Sequence, residues 1–267
     1  MLAASPTDVL VPSSPEEAVE SFGDGRAITV IAGGTIVMPA LEAGELRPKR
    51  ALLLAKAGLD GIRKRGRTLT IGAMTPVLDL VGETLEPLST FASYVGDYEI
   101  QAQATIGGNL CAPPGPEAPR GDLQAALLAL GARVRSVGAD GERSESIDDF
   151  LADGEAHLVL EIKVEVPKRA STAGLRRPHA HTYTIMAVAA AETADGIRVA
   201  VNGAGPRARR LPTVERALAD GADPKAAAAG AADDASPRDD ALACAWYRTE
   251  MLPVIVERAL NTLRETA

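Results

Sequence analysis

Two glycine pairs decide how this 267-residue chain folds: residues 31–41 read IAGGTIVMPAL and residues 104–110 read ATIGGNL. The apolar, β-branched run at 27–31 predicts a buried strand that ends at the first pair. A glycine pair has no Cβ atoms in the way, so its backbone N–H groups can converge on one point and bind phosphate without Lys or Arg. Either pair alone is more typical of a structural turn. Two such loops facing each other would supply the several donors that a pyrophosphate needs, together with the side chains of Thr35, Thr105 and Asn109.

The flanking segments predict alternating strands and helices up to about residue 167, which indicates an α+β or α/β first domain. The clearest helix is DLQAALLALGA at 122–132, where Asp122 is an N-cap candidate and Gly131 a stop. Other helices are predicted at 13–22, 76–95 and 241–264, the last with Pro253 as a kink or break. Strands are predicted at 51–55, 68–74, 132–138 and 157–167. The run at 104–110 is also strand-like up to its glycine pair.

The pattern changes after residue 168. A turn at Asp195-Gly196 predicts a hairpin between strands at 182–192 and 196–205. Residues 217–241 are rich in Ala and Asp and give mixed helix and loop signals. A smaller second domain with an antiparallel sheet and terminal helices is therefore expected.

Composition excludes several classes of protein. Hydrophobic residues are 46% and charged residues 24%, which excludes global disorder, and no apolar run is long enough for a membrane span. The net charge is −8 and aromatic residues are 3%, so nucleic acid is not an expected partner. The two cysteines, Cys111 and Cys244, form no CxxC motif, which argues against a zinc or iron–sulfur site within this chain. Residues 1–14 lack the features of a secretory signal, and a cytoplasmic location is expected.

Common catalytic motifs are missing from the sequence. It contains no GxGxxG after a strand, no P-loop, no HExxH and no GxSxG. His179 and His181 form an HxH, for which a polar turn is favoured over a metal site because no carboxylate cluster lies beside it. No metal ligand is assigned.

Taken in order, these pieces resemble the FAD-binding medium subunit of the molybdenum hydroxylases, the family of carbon monoxide dehydrogenase and xanthine dehydrogenase-like enzymes. The resemblance covers nearly the whole chain. Besides the two glycine loops and residues 122–132, it includes GLDGIRKRGRTLTIGAMTPVLDL at 58–80, IDDFL at 147–151 and the helix around Trp246-Tyr247-Arg248.

The resemblance implies a two-lobed α+β FAD-binding domain of the vanillyl-alcohol oxidase-like (PCMH) type at 1–168, with lobes at about 1–55 and 56–168. A small α+β C-terminal domain would occupy 169–267. FAD would lie between the lobes, with its pyrophosphate held by backbone N–H groups of both loops. Asp122 would hold ribityl or ribose hydroxyls. The implied FAD-binding residues are Ile31, Ala32, Gly33, Gly34, Thr35, Ile36, Thr105, Gly107, Gly108, Asn109 and Asp122.

The resemblance also implies a role. A large partner subunit with a molybdenum cofactor would oxidise the substrate, and a small partner with [2Fe–2S] clusters would relay electrons to FAD on this chain. The FAD would pass them to a terminal acceptor, within a dimer of heterotrimers. Because the flavin performs the redox chemistry, no catalytic side chain is assigned.

The sequence departs from the family pattern near the second loop, where Gln101 and Ala102 replace an Arg-Asn pair. At the entry to the C-terminal domain, Arg176 or Arg177 stands in for a Lys, and Tyr183 takes the place of an Asp. Two alternatives therefore stay open: a structural subunit of the same complex with weak or lost FAD binding, and a self-contained flavin oxidoreductase.

Overall fold

The N-terminal part of the chain forms a small parallel sheet. A computed structural model describes residues 8–82, 85–114, 121–153, 156–176 and 184–266. Strands β1 (Asp8–Leu10), β2 (Ile28–Ile31) and β3 (Arg50–Leu53) pair in the order β1-β3-β2. Helix α1 (Pro15–Phe22) begins where the sequence predicts, because the Ser14 hydroxyl accepts a hydrogen bond from the Glu17 N–H at 3.2 Å. The short helix α2 (Val37–Glu42) follows the first glycine loop.

A five-stranded antiparallel sheet forms the second layer, in the order β4-β5-β8-β6-β7. Its longest strand, β8, contributes to two cores: Leu158 and Leu160 pack under the parallel sheet, whereas Ile162 and Val164 pack in the larger central core. Strand β8 therefore connects the core under the parallel sheet with the central core. The strands are β4 (Ile62–Arg65), β5 (Thr68–Gly72), β6 (Arg133–Gly138), β7 (Gly141–Ser146) and β8 (Leu158–Glu165).

Two predictions in this region are wrong. The single helix expected at 76–95 is a 3-10 turn at Val77–Leu80 followed by α3 (Leu88–Ala92). Pro87 precedes α3, and proline has no backbone N–H with which to continue the hydrogen-bond ladder of a helix. The strand-like run at 104–110 is mostly helix, α5 (Ile106–Leu110). The remaining helices here are α4 (Tyr98–Gln103), α6 (Leu123–Ala129) and α7 (Ile147–Ala152).

The third layer is a four-stranded antiparallel sheet in the order β12-β11-β10-β9. The predicted β10–β11 hairpin is present, but its two-residue turn is Ala194-Asp195 rather than Asp195-Gly196, because Gly196 already pairs with Thr193. The alanine face of this sheet packs on α6, and the opposite face packs under the C-terminal helices. Helix α10 runs through Pro253 without a break. These elements are β9 (Arg169–Leu175), β10 (Met186–Thr193), β11 (Gly196–Asn202), β12 (Arg209–Arg210), α8 (Pro212–Ala219), α9 (Pro224–Ala228) and α10 (Ala245–Glu265).

Candidate functional site

The two glycine loops lie against each other. A Cβ atom placed on Gly33 would be 1.8 Å from the carbonyl oxygen of Gln103, and one on Gly108 would be 3.6 Å from the Cβ of Ala32. Gly33 is thus required for the close approach of two backbones. Gly34 is required for a different reason, since its φ of +76° is strained for other residues.

A cavity of about 440 Å³ opens between these loops. Apart from Ile31, which ends strand β2, every residue in the predicted set lines it. The structure therefore brings together ten residues spread over about ninety positions of sequence: Ala32, Gly33, Gly34, Thr35, Ile36, Thr105, Gly107, Gly108, Asn109 and Asp122.

The first loop offers free backbone donors. Within the described part of the chain, the N–H groups of residues 32–36 donate to no acceptor. All five residues are half-buried and line the cavity. Unpaired N–H groups in such a place favour an anion or another acceptor brought by a ligand.

The second loop differs from the expected phosphate-binding turn. Its glycines lie in the first turn of α5, where Thr105 is the N-cap. The Gly107 N–H donates to the Ala73 carbonyl at 2.8 Å, and the Gly108 N–H donates to the Thr105 hydroxyl oxygen at 3.1 Å. These N–H groups already have partners, so the second loop contributes its surface and the Thr105 hydroxyl rather than a set of free N–H donors.

Asp122 is buried at the cavity wall. It occupies the N-cap position of α6 that the sequence suggests, but it has helical dihedral angles and its side chain makes no cap hydrogen bond. Burial raises the pKa of its carboxyl group to about 7, while a hydrogen bond from the Asn109 side chain opposes the shift. The Asn109 carbonyl oxygen in turn accepts the Leu123 N–H at 2.9 Å, which fixes the amide beside Asp122.

Sequence reasoning missed a second cavity of about 270 Å³, which shares Val30, Cys111, Ala112 and His157 with the first. The Nε2 atom of His157 lies 2.7 Å from the Arg143 guanidinium and 3.2 Å from the Asp153 carboxylate. Arg207 also lines this cavity. Neither His157 nor Arg207 belongs to a sequence motif, so no pattern in the sequence could have indicated their place in this cavity.

Two residues that depart from the family pattern, Gln101 and Ala102, do not line the cavity. Gln101 and Ala102 are on α4, and their neighbours Ile100 and Ala104 line the cavity instead. Arg177, His179, His181 and Tyr183 fall outside the described residues. In the described part of the chain, no group of three or more His, Cys, Asp or Glu side chains is arranged to hold a metal ion. None of the described helices is long and apolar enough to cross a membrane.

Comparisons with known proteins agree with this geometry. Residues 5–168 match the family described as the FAD binding domain in molybdopterin dehydrogenase. The chain is 29% identical to the 6-hydroxypseudooxynicotine dehydrogenase complex subunit alpha of Paenarthrobacter nicotinovorans, covering 95% of this chain and 93% of that protein. It is also 29% identical to the carbon monoxide dehydrogenase medium chain of Hydrogenophaga pseudoflava, covering 94% of each.

The fold has solved counterparts as well. The carbon monoxide dehydrogenase from Hydrogenophaga pseudoflava, in a form that lacks the Mo-pyranopterin moiety of its molybdenum cofactor, superimposes with a TM-score of 0.85 at 26% identity over 100% of both chains. Quinoline 2-oxidoreductase from Pseudomonas putida 86 shares the fold, with a TM-score of 0.82 at 20% identity.

Fold and cavity together define an FAD-binding module of the α+β, PCMH type, as predicted. The chain belongs to the family of FAD-binding domains of molybdopterin dehydrogenases. It is an FAD-binding oxidoreductase subunit of the molybdenum hydroxylase type.

Proposed function

We propose that this chain accepts electrons from the [2Fe–2S] clusters of a small partner subunit and passes them through FAD to a terminal acceptor. A large subunit carrying the molybdenum cofactor would oxidise the substrate, and the assembly would be a cytoplasmic dimer of heterotrimers. The observation that carries the proposal is the row of unpaired N–H groups at residues 32–36 on the cavity wall. Five donors in one loop suit a pyrophosphate. Residues 31–41 contain no Lys or Arg, so the N–H groups would have to hold the phosphates themselves.

The other residues of the set would divide the remaining FAD contacts. The Thr105 hydroxyl accepts the Gly108 N–H and keeps its own hydrogen for a phosphate oxygen. Asp122, with Asn109 beside it, would accept hydrogen bonds from ribityl or ribose hydroxyls. When bound, FAD supplies the electron-accepting and electron-donating chemistry, while this chain holds and orients it and needs no acid or base for electron transfer.

The same proposal divides the chain. Residues 1–168 would form the FAD-binding domain, with lobes at about 1–55 and 56–168, and residues 169–267 would form the C-terminal domain. In support, β8 links the first two sheets, and the third sheet starts with β9 at Arg169.

The alternative of a structural subunit rests on Gln101 and Ala102. Neither residue lines the cavity, which weakens this alternative. The free N–H groups of residues 32–36, in contrast, are all present on the cavity wall. The alternative of a self-contained flavin oxidoreductase predicts that the chain purifies without a molybdenum subunit.

The test is a visible spectrum of the chain, purified alone and from cells that co-express its partner subunits, with released cofactor quantified. We expect FAD near one per chain. Gly108→Val is expected to abolish FAD retention, because its Cβ would lie 3.0 Å from the Thr105 hydroxyl and its methyl groups would enter the gap between the loops.

The matched control is Gly205→Val, where the nearest atom to an added Cβ is 3.6 Å away and φ is not positive. This variant is expected to keep FAD. A complex that releases no FAD, even after FAD has been added, would support the structural subunit. Full FAD occupancy in Gly108→Val would refute the placement of FAD in this cavity.

A further inference from the structure

Helix α6 carries Asp122 into the cavity, and two layers of the molecule hold it. All seven of its residues, Leu123–Ala129, are buried. It packs between the central core of the five-stranded sheet and the alanine face of the four-stranded sheet, formed by Ala187, Ala189, Ala191 and Ala200. The position of Asp122 therefore depends on a sheet that contributes no residue to the cavity lining.

One side chain of that sheet reaches the start of α6. Asn202, at the end of β11, is buried, and its Nδ2 atom donates to the carbonyl oxygens of Gly121 at 3.2 Å and Asp122 at 2.5 Å. Because both partners are carbonyl acceptors, the atom facing them has to be the amide nitrogen. One amide group thus fixes two consecutive peptide units, including that of Asp122.

The same strand holds the far end of the helix. The Nε atom of Arg198 donates to the Leu128 carbonyl at 2.9 Å, and its guanidinium also lies 2.6 Å from the Asp148 carboxylate. Arg198 and Asn202 are four residues apart in the strand and so span about 13 Å, which is similar to the length of about 10 Å of α6. Arg198 and Asn202 consequently anchor opposite ends of one helix, and of these two residues Asn202 alone contacts the peptide of Asp122.

We propose that Asn202 is a positioning residue for the cofactor site: it sets where the Asp122 carboxylate stands and so tunes the affinity for FAD. The proposal rests on the proposed function, in which Asp122 holds FAD hydroxyls. In this proposal the four-stranded sheet affects FAD binding through Asp122, although no residue of the sheet lines the cavity. A purely structural role would instead lower stability and affect FAD only through unfolding.

The experiment is a double-mutant cycle on the full chain in its complex, with FAD removed and titrated back while flavin fluorescence is followed. Asn202→Ala is expected to weaken FAD binding about fivefold to tenfold, the equivalent of one lost hydrogen bond. In an Asp122→Ala background, Asn202→Ala is expected to have no further effect, because the group it positions is gone.

Arg198→Ala is the matched control, since it frees the other end of α6. It is expected to lower the urea midpoint at least as much as Asn202→Ala, yet change FAD affinity less than twofold. Equal losses of affinity in Asn202→Ala and Arg198→Ala, or additive losses in Asn202→Ala and Asp122→Ala, would overturn the positioning role.

The proposal stays testable if the wild-type chain binds no FAD, an outcome that would refute the proposed function alone. The ionisation of Asp122 can then be followed by ¹³C carboxyl NMR in the cofactor-free chain. A shift of its titration midpoint in Asn202→Ala but not in Arg198→Ala supports the positioning role, and an unchanged midpoint in both variants overturns it.

Discussion

At the residue scale, the burial of Asp122 at the proposed FAD site lowers the stability of the folded chain. Asp122 is 5% exposed, and burial raises the pKa of its carboxyl group to about 7 from 3.8. A raised pKa means that the folded chain binds more protons than the unfolded chain between these values. The contribution of Asp122 to the free energy of unfolding must therefore fall as pH rises from about 4 to about 7. Above that range the full penalty of the buried charge is present.

Asp122→Asn is expected to remove this penalty in the FAD-free chain. The variant should be more stable than wild type at pH 8, by up to about 4 kcal/mol for a shift of roughly three pKa units, and equally stable near pH 4. Urea unfolding at both values measures the difference. A stability difference that is the same at both pH values would contradict the burial argument.

The residue scale also marks the limit of sequence reasoning. The glycine pairs and Asp122 were identified because their types and order are distinctive. Which N–H groups are free was not predictable, since the pairing of Gly107 with Ala73 is set by tertiary packing across 34 positions. His157 was missed for the same reason: its partners Arg143 and Asp153 meet it only in the fold.

At the element scale, the strands and the hairpin could be predicted because their periodicity is local. The break in the helix predicted at 76–95 could not, because leucine spacing alone does not show that the first turn stops at Leu80 and that α3 starts only after Pro87. The second glycine pair was placed in a strand-like run, but the Thr105 cap starts a helix there. Short apolar runs of this kind fit either structure until tertiary contacts decide.

Helix α10 gives a prediction at this scale, because Arg248 fastens it to the four-stranded sheet. Arg248 is 1% exposed, donates to the carbonyls of Ile185 and Gly203 at 2.6 and 2.7 Å, and contacts both oxygens of Asp240 at 2.6 Å. Arg248→Ala is expected to destabilise the chain by about 3–5 kcal/mol, because the partly buried carboxylate of Asp240 and two buried carbonyls lose the guanidinium group that they face.

Trp246, two residues away on the same helix, is the control. It is 70% exposed, and Trp246→Ala is expected to change stability by no more than about 0.5 kcal/mol. Urea unfolding of both variants gives the comparison. A loss below about 1 kcal/mol in Arg248→Ala would show that the ion pair and carbonyl bonds are replaced by water.

At the scale of the whole molecule, the cavity lies where the parallel sheet, the five-stranded sheet and α6 converge. Its walls include Val30 of β2, Val159 of β8 and Asp122. A ligand here contacts elements from both proposed lobes at once, so binding should stabilise the folded chain as a unit rather than one sheet. This coupling makes thermal unfolding a direct report on the site.

FAD is accordingly expected to raise the unfolding temperature in a concentration-dependent way, since a ligand at 100 times its Kd adds about 2.7 kcal/mol to the folded state. The free N–H groups at residues 32–36 point to the pyrophosphate as the main anchor. ADP, which carries that group, should therefore stabilise the chain, whereas riboflavin, which has no phosphate, should have little effect. Thermal scans of the FAD-free chain with each compound measure this. Stabilisation by riboflavin but not by ADP would place the main anchor on the flavin ring and contradict the role of the first glycine loop.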